Sequence, residues 1–92
     1  MIYTIITSKE ADEDISSLKK SEIKAYHKLM LLVEELQEHP RTGTGKPKMT
    51  KHGKFKGLWS RRITDKHRLI YEIKDREITV LVLSAKEHYD DK

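Results

Sequence analysis

Two groups of residues in this chain could do chemistry: a crowd of cations between Arg41 and Arg76, and a His88-Tyr89 pair near the end. Twelve arginines and lysines fall in that 36-residue stretch, against only Asp65, Glu72 and Asp75. The stretch carries +9 in a chain whose formal net charge is +4, leaving −5 on the other 56 residues. Such self-repulsion is a cost to the folded state and points to a polyanionic partner. Phe55, Trp59 and Tyr71 are interleaved with the cations, a pattern suited to holding phosphates by charge and stacking bases on rings.

An RNA backbone can be cut without a metal when its own 2′-hydroxyl becomes the nucleophile. A base must take that proton, cations must offset the charge growing on the phosphorane, and an acid must protonate the departing 5′-oxygen. Arg61, Arg62 and Arg68 stand on adjacent expected strands, and Lys48 and Lys51 precede them. His88 is the type of side chain that exchanges a proton near neutrality, and a nearby phosphate favours its protonated form. Each of these residues has a plainer reading. A single cation on a sheet edge is often an anti-aggregation device. A histidine near a C-terminus is usually surface detail. Trp59 fits a half-buried sheet edge and Tyr71 fits the core. His27, His39, His52, His67 and His88 show no metal-ligand spacing, so neither metal nor cofactor is expected.

The elements that must position these groups read as follows. Ile2, Tyr3, Ile5 and Ile6 form a short β-prone segment. Ser8 caps a helix from Lys9, on which Ala11, Ile15 and Leu18 share a face. Ser21 is the expected cap of a second helix, with Ile23, Tyr26, Met30, Val33 and Leu36 at helical spacing up to Pro40. Arg41 to Pro47 is a loop with two glycines and a proline. It is no phosphate-binding P-loop, because Gly43 and Gly45 stand too close and Pro47 follows Lys46, so nucleotide hydrolysis is excluded. Strands are expected over Leu58–Thr64, Arg68–Lys74 and Ile78–Leu83, with turns at Asp65-Lys66 and Asp75-Arg76 and an additional short strand near Lys48–Lys51. Period two places Trp59, Arg61 and Ile63 on one face of the first of these strands and Leu58, Ser60, Arg62 and Thr64 on the other. The nearly all-apolar run from Ile78 marks a strand inside the sheet. The fold class is α+β, in the order β-α-α-β-β-β, two N-terminal helices packed on a twisted antiparallel sheet.

Residues 1–92 are expected to form a single domain, near the small end of what one core sustains. The chain has no cysteine, which excludes disulfides, thiolate metal sites and cysteine nucleophiles and fits a reducing compartment, the cytoplasm. Nothing reads as a secretory signal, and Leu29–Val33 and Val80–Leu83 are too short to cross a membrane, so no membrane partner is expected.

The run Gly43-Thr-Gly-Lys-Pro47, then Lys51-His52, then Gly57-Leu-Trp-Ser-Arg-Arg-Ile-Thr-Asp-Lys-His-Arg-Leu-Ile-Tyr71, and finally His88-Tyr89, resembles the Txe/YoeB toxins of bacterial type II toxin–antitoxin systems, in the RelE-like superfamily. The resemblance covers nearly the whole chain. It implies a compact domain with two helices against an antiparallel sheet, and a ribosome-dependent endoribonuclease that cuts messenger RNA in the ribosomal A site. It further implies a cognate antitoxin whose C-terminal segment folds over the toxin. Toxins of this type can form a homodimer, and they meet operator DNA only through the antitoxin complex; no helix-turn-helix reader is evident in this chain.

Carried over by position, the resemblance makes Arg68 the cation nearest the transition state, His88 the general acid and Tyr89 the residue that orients or stacks on substrate. Lys51 and Arg62 match phosphate contacts. Lys46, His52, Trp59 and Arg61 complete the expected RNA-binding set. The family's general base is a glutamate directly after the Gly-Lys-Pro turn, and here that position is Lys48. An ammonium group has no lone pair to accept a proton until it has lost one, although crowding by like charges favours that loss. Lys48 therefore has three readings: it is the base, it marks a catalytically silent RNA-, ribosome- or antitoxin-binding relative, or it signals that His52 or Lys51 takes the proton.

Overall fold

The computed structural model describes residues 2–51 and 53–86, so the expectations for His52, His88 and Tyr89 lie outside the described residues. The chain opens with β1 (Thr4–Thr7), followed by α1 (Lys9–Ser21) and α2 (Ile23–Leu36). Ser8 caps α1 as expected, its Oγ accepting from the Ala11 amide at 3.1 Å while donating to the Leu83 carbonyl of the sheet at 2.9 Å. Ser21 does not cap α2. It is the last residue of α1, and its hydroxyl donates back to the Ser17 carbonyl. The break between the helices is Glu22 alone, at φ −142° and ψ 71°. Its carboxylate is taken by His67 Nε2, 3.1 Å away, which ties the helix junction to the far turn of the sheet.

After the glycine loop come β2 (Lys48–Met49), β3 (Trp59–Arg62), β4 (Arg68–Lys74) and β5 (Thr79–Ser84). The additional short strand is thus present as β2, and β4 has the limits the alternation gave it. β3 is shorter than expected. Beyond the Arg62–Arg68 pair the Thr64 hydroxyl accepts from the Lys66 and His67 amides and turns the chain. β5 starts at Thr79, one residue later than expected, because Ile78 sits in the left-handed region at φ 49°.

The five strands form one sheet in the order β1-β5-β4-β3-β2. It is mixed, not wholly antiparallel: β1 pairs parallel with β5, from Thr4 opposite Thr79 to Thr7 opposite Val82. Parallel neighbours need a long crossover, and here the connection begins with the two helices. Leu18, Leu29, Leu32 and Leu36 of the helices pack with Leu69, Tyr71, Val80 and Val82 of the sheet, all fully buried. Each such side chain contributes about 1.5–3 kcal/mol through its burial. The buried stripe of α2 is Ala25, Leu29, Leu32 and Leu36, while Tyr26, Met30 and Val33 flank it half-buried and Ile23 is exposed. No helix among the described residues is long and apolar enough to cross a membrane.

Candidate nucleic-acid interface

Strand parity divides the sheet into two faces of different chemistry. Ile5, Trp59, Ile63, Leu69, Tyr71, Ile73, Val80 and Val82 belong to the hydrophobic core under the helices. The opposite, open face is set by direct cross-strand partners: Lys48 with Ser60, Ser60 with Ile70, and Arg62 with Arg68. It therefore carries Lys48 on β2, Ser60 and Arg62 on β3, and Arg68, Ile70, Glu72 and Lys74 on β4. On its far side lie Thr79 and Leu81 of β5 and Thr4 and Ile6 of β1. Buried Ile70 forms an apolar floor between the cations.

Arg62 and Arg68 stand directly opposite each other, an arrangement of like charges that costs the fold energy. Each guanidinium is drawn toward the turn that joins β3 to β4. Arg62 Nη1 lies 3.9 Å from Asp65 Oδ1, and Arg68 Nη1 donates to the Thr64 carbonyl at 2.9 Å. Arg62 and Lys48 are exposed and Arg68 is half-buried, so the three can converge on an anion above the sheet. Lys46, at φ 52°, and Lys51 are exposed on the neighbouring loops.

Arg61 is corrected from phosphate contact to architecture: it is completely buried. Its parity with Trp59 and Ile63 turns it to the core side, and all five guanidinium hydrogens have acceptors there. Nε donates to the Tyr71 hydroxyl at 3.1 Å, and Nη1 to Glu35 Oε1 at 2.8 Å and the Thr44 carbonyl at 3.2 Å. Nη2 donates to the Thr42 carbonyl at 2.7 Å and to the His39 carbonyl. Glu35 completes the clamp by accepting from the Thr44 amide at 2.9 Å and hydroxyl at 2.6 Å. The Thr44 hydroxyl contributes most to holding the Glu35 carboxyl below the ordinary value, against desolvation, with Arg61 adding to it. Tyr71 donates in turn to the Pro40 carbonyl at 2.8 Å, and burial pushes its phenol up, opposed by Arg61.

This clamp fixes the loop that delivers Lys46 and Lys48. The loop also lies against β3, with the Arg62 amide donating to the Gly45 carbonyl at 2.7 Å. A Cβ on Gly45 would come within 2.9 Å of the Arg62 carbonyl, and its φ of +87° also calls for glycine. Sequence reasoning missed the roles of Glu35 and Thr44, for which there was no local signal. Arg61 could have been found from its parity alone.

Trp59 is half-buried against the core, on the face opposite Arg62 and Arg68, with the Arg41 guanidinium carbon 6.0 Å from its ring centroid. Arg41 also pairs with Asp75 at 2.7 Å, and the Tyr3 hydroxyl donates to the same carboxylate at 2.8 Å. Trp59 thus closes the core edge and does not join the cation row.

A family model described as the YoeB-like toxin of bacterial type II toxin–antitoxin systems matches residues 7–89. Toxin YoeB of Mycobacterium bovis is 39% identical over 80 residues, covering 87% of this chain and 91% of that protein. The fold superposes on the YoeB dimer structure from Staphylococcus aureus with a TM-score of 0.80 at 30% identity, covering 97% of this chain and 100% of that one. The YoeB–YefM complex from the same organism gives a TM-score of 0.79 at 29% identity, with the same coverage.

Proposed function

The chain belongs to the YoeB-like toxin family of bacterial type II toxin–antitoxin systems, and from that premise we propose that it is a ribosome-dependent endoribonuclease cutting messenger RNA in the ribosomal A site. The observation that carries this reading is the pairing of Arg62 with Arg68 on an open sheet face beside Lys48. Two arginines held opposite one another raise the local field, and a phosphodiester above them offsets that cost while its own developing charge is stabilised.

In the proposed mechanism the 2′-oxygen attacks the adjacent phosphorus as it loses its proton to a base. The bond to the 5′-oxygen breaks, leaving a cyclic phosphate and a free 5′-hydroxyl. Arg68 and Arg62 carry the phosphorane charge, with Lys46, Lys48 and Lys51 steering the backbone. His88 protonates the leaving oxygen and Tyr89 orients the nucleotide. The protein works in the cytoplasm as a single domain, and a cognate antitoxin neutralises it. The relatives solved as a YoeB dimer and as a YoeB–YefM complex support dimer and antitoxin assembly as its partners; operator DNA is reached only through that complex.

Expression in bacteria with and without a paired antitoxin, reading growth and message cleavage in translating extracts, tests the proposal. Growth arrest with new 5′-hydroxyl ends, relieved by antitoxin, is expected. Ribosome binding with intact messages would favour the second reading, a silent binding relative, which the lysine at position 48 supports.

A further inference from the structure

We propose that Glu72 is the general base of this chain, standing in for the carboxylate that position 48 lacks. The inference rests on the cleavage reading above and names a residue that reading leaves unassigned. The open face needs an acceptor for the 2′-hydroxyl proton. Among the described strand residues of that face Glu72 is the only carboxylate. Among the described residues it has neither a hydrogen-bond nor an ion-pair partner, although Arg62, Arg68, Lys48 and Lys74 share its face. Of the other acidic groups nearby, Glu35 is engaged by Thr44 and Arg61 on the core side and Asp75 by Arg41 and Tyr3, while Asp65 lies in the exposed β3–β4 turn, 3.9 Å from Arg62 and off the strand face.

The placement also sets a proton acceptor and a charge-offsetting cation on one face of one strand. Arg68, Ile70 and Glu72 project from the same face of β4, so about 13 Å of strand separates the outer two α-carbons, with Ile70 as floor between them. Once Arg68 releases the Thr64 carbonyl, two long side chains rising from those ends can meet a single ribose-phosphate held between them. Glu72 then reaches the 2′-hydroxyl and Arg68 the phosphate oxygens. Glu72 is half-exposed and its cross-strand partner is Leu81, so no charged neighbour on β5 competes for it. The step balances: the 2′-proton passes to a Glu72 carboxylate oxygen, the bond from the 2′-oxygen to phosphorus forms, the bond to the 5′-oxygen breaks, and His88 supplies the leaving oxygen's proton. A carboxylate offers the free acceptor lone pairs that a lysine ammonium does not.

Single-turnover cleavage on programmed ribosomes tests this with wild type, Glu72→Gln and Glu72→Gln combined with Lys48→Glu. Glu72→Gln is expected to lower the saturating rate by about 10²–10⁴-fold while ribosome affinity and melting temperature stay at wild-type values. The wild-type rate should fall toward acid pH, and this limb should vanish in Glu72→Gln. The groups facing Glu72 are Arg68 and Lys74 on β4, Arg62 on β3 and Lys48 on β2. β5 and β1 present the non-titrating Thr79, Leu81, Thr4 and Ile6. Returning a carboxylate at position 48 should restore part of the lost rate. A Glu72→Gln rate equal to wild type would overturn the inference while leaving the cleavage reading intact. A wild type that binds ribosomes and never cleaves would overturn both.

Discussion

Glu35 and Arg61 meet at 2.8 Å beneath the glycine loop, joining α2 to β3 through a guanidinium with no exposed surface. The pair is one node of a clamp that includes Thr44, Tyr71 and the carbonyls of His39 and Thr42. Removing either partner strands a buried charge or several buried acceptors, which is far more costly than the net worth of an ion pair. Glu35→Ala is therefore expected to destabilise the fold by about 3 kcal/mol, read by urea denaturation. Arg61→Lys should fail to rescue the Arg61→Ala defect, because an ammonium cannot reproduce a planar fork of five donors.

The same pair sets an acid limit on stability. The Glu35 carboxyl is held below its ordinary value, first by the Thr44 hydroxyl and with help from the Thr44 amide and Arg61. A depressed folded-state value contributes stability that is present above the unfolded-state value and lost as pH falls through the folded one. Unfolding free energy should accordingly decline as pH drops below the ordinary glutamate range. That decline should be smaller in Glu35→Gln and in Thr44→Val, as melting temperature against pH would record.

Much of this architecture could be read from residue order. The Ser8 cap, the limits of β4 and the short β2 follow from local chemistry: a hydroxyl before an amphipathic run, clean alternation, and a glycine loop followed by an extended pair. The parallel pairing of β1 with β5 was not legible, because it depends on where two helices return the chain. Ile78 in the left-handed region has no sequence mark either, since an isoleucine there is set by the surrounding turn.

Within the candidate site, charge density picks out a stretch of sequence but does not separate its two faces. Arg61 and Arg62 look equivalent by composition, yet one is buried and one exposed because adjacent residues in a strand point oppositely. The aromatic interleaving misled in the same way: Trp59 and Tyr71 share the core side with Arg61, away from Arg62 and Arg68.

Arg68 and His88 are expected to fail differently. Arg68→Ala should cost the cleavage step about 3–4 kcal/mol, as loss of an oxyanion donor does. His88→Ala should lower it on the order of 10²–10⁴-fold with little change in ribosome affinity. A message whose scissile 5′-oxygen is replaced by sulfur needs less protonation on departure. It should rescue His88→Ala much more than Arg68→Ala, and equal rescue would remove His88 from the role of acid.

The most direct test of 2′-hydroxyl attack is cleavage of an A-site message bearing a single 2′-deoxynucleotide at the scissile position. Binding to programmed ribosomes should be unchanged, cleavage at that phosphate should disappear, and the all-ribose control should yield a cyclic phosphate with a 5′-hydroxyl end. Cleavage of the deoxy-substituted message at the control rate would contradict the mechanism.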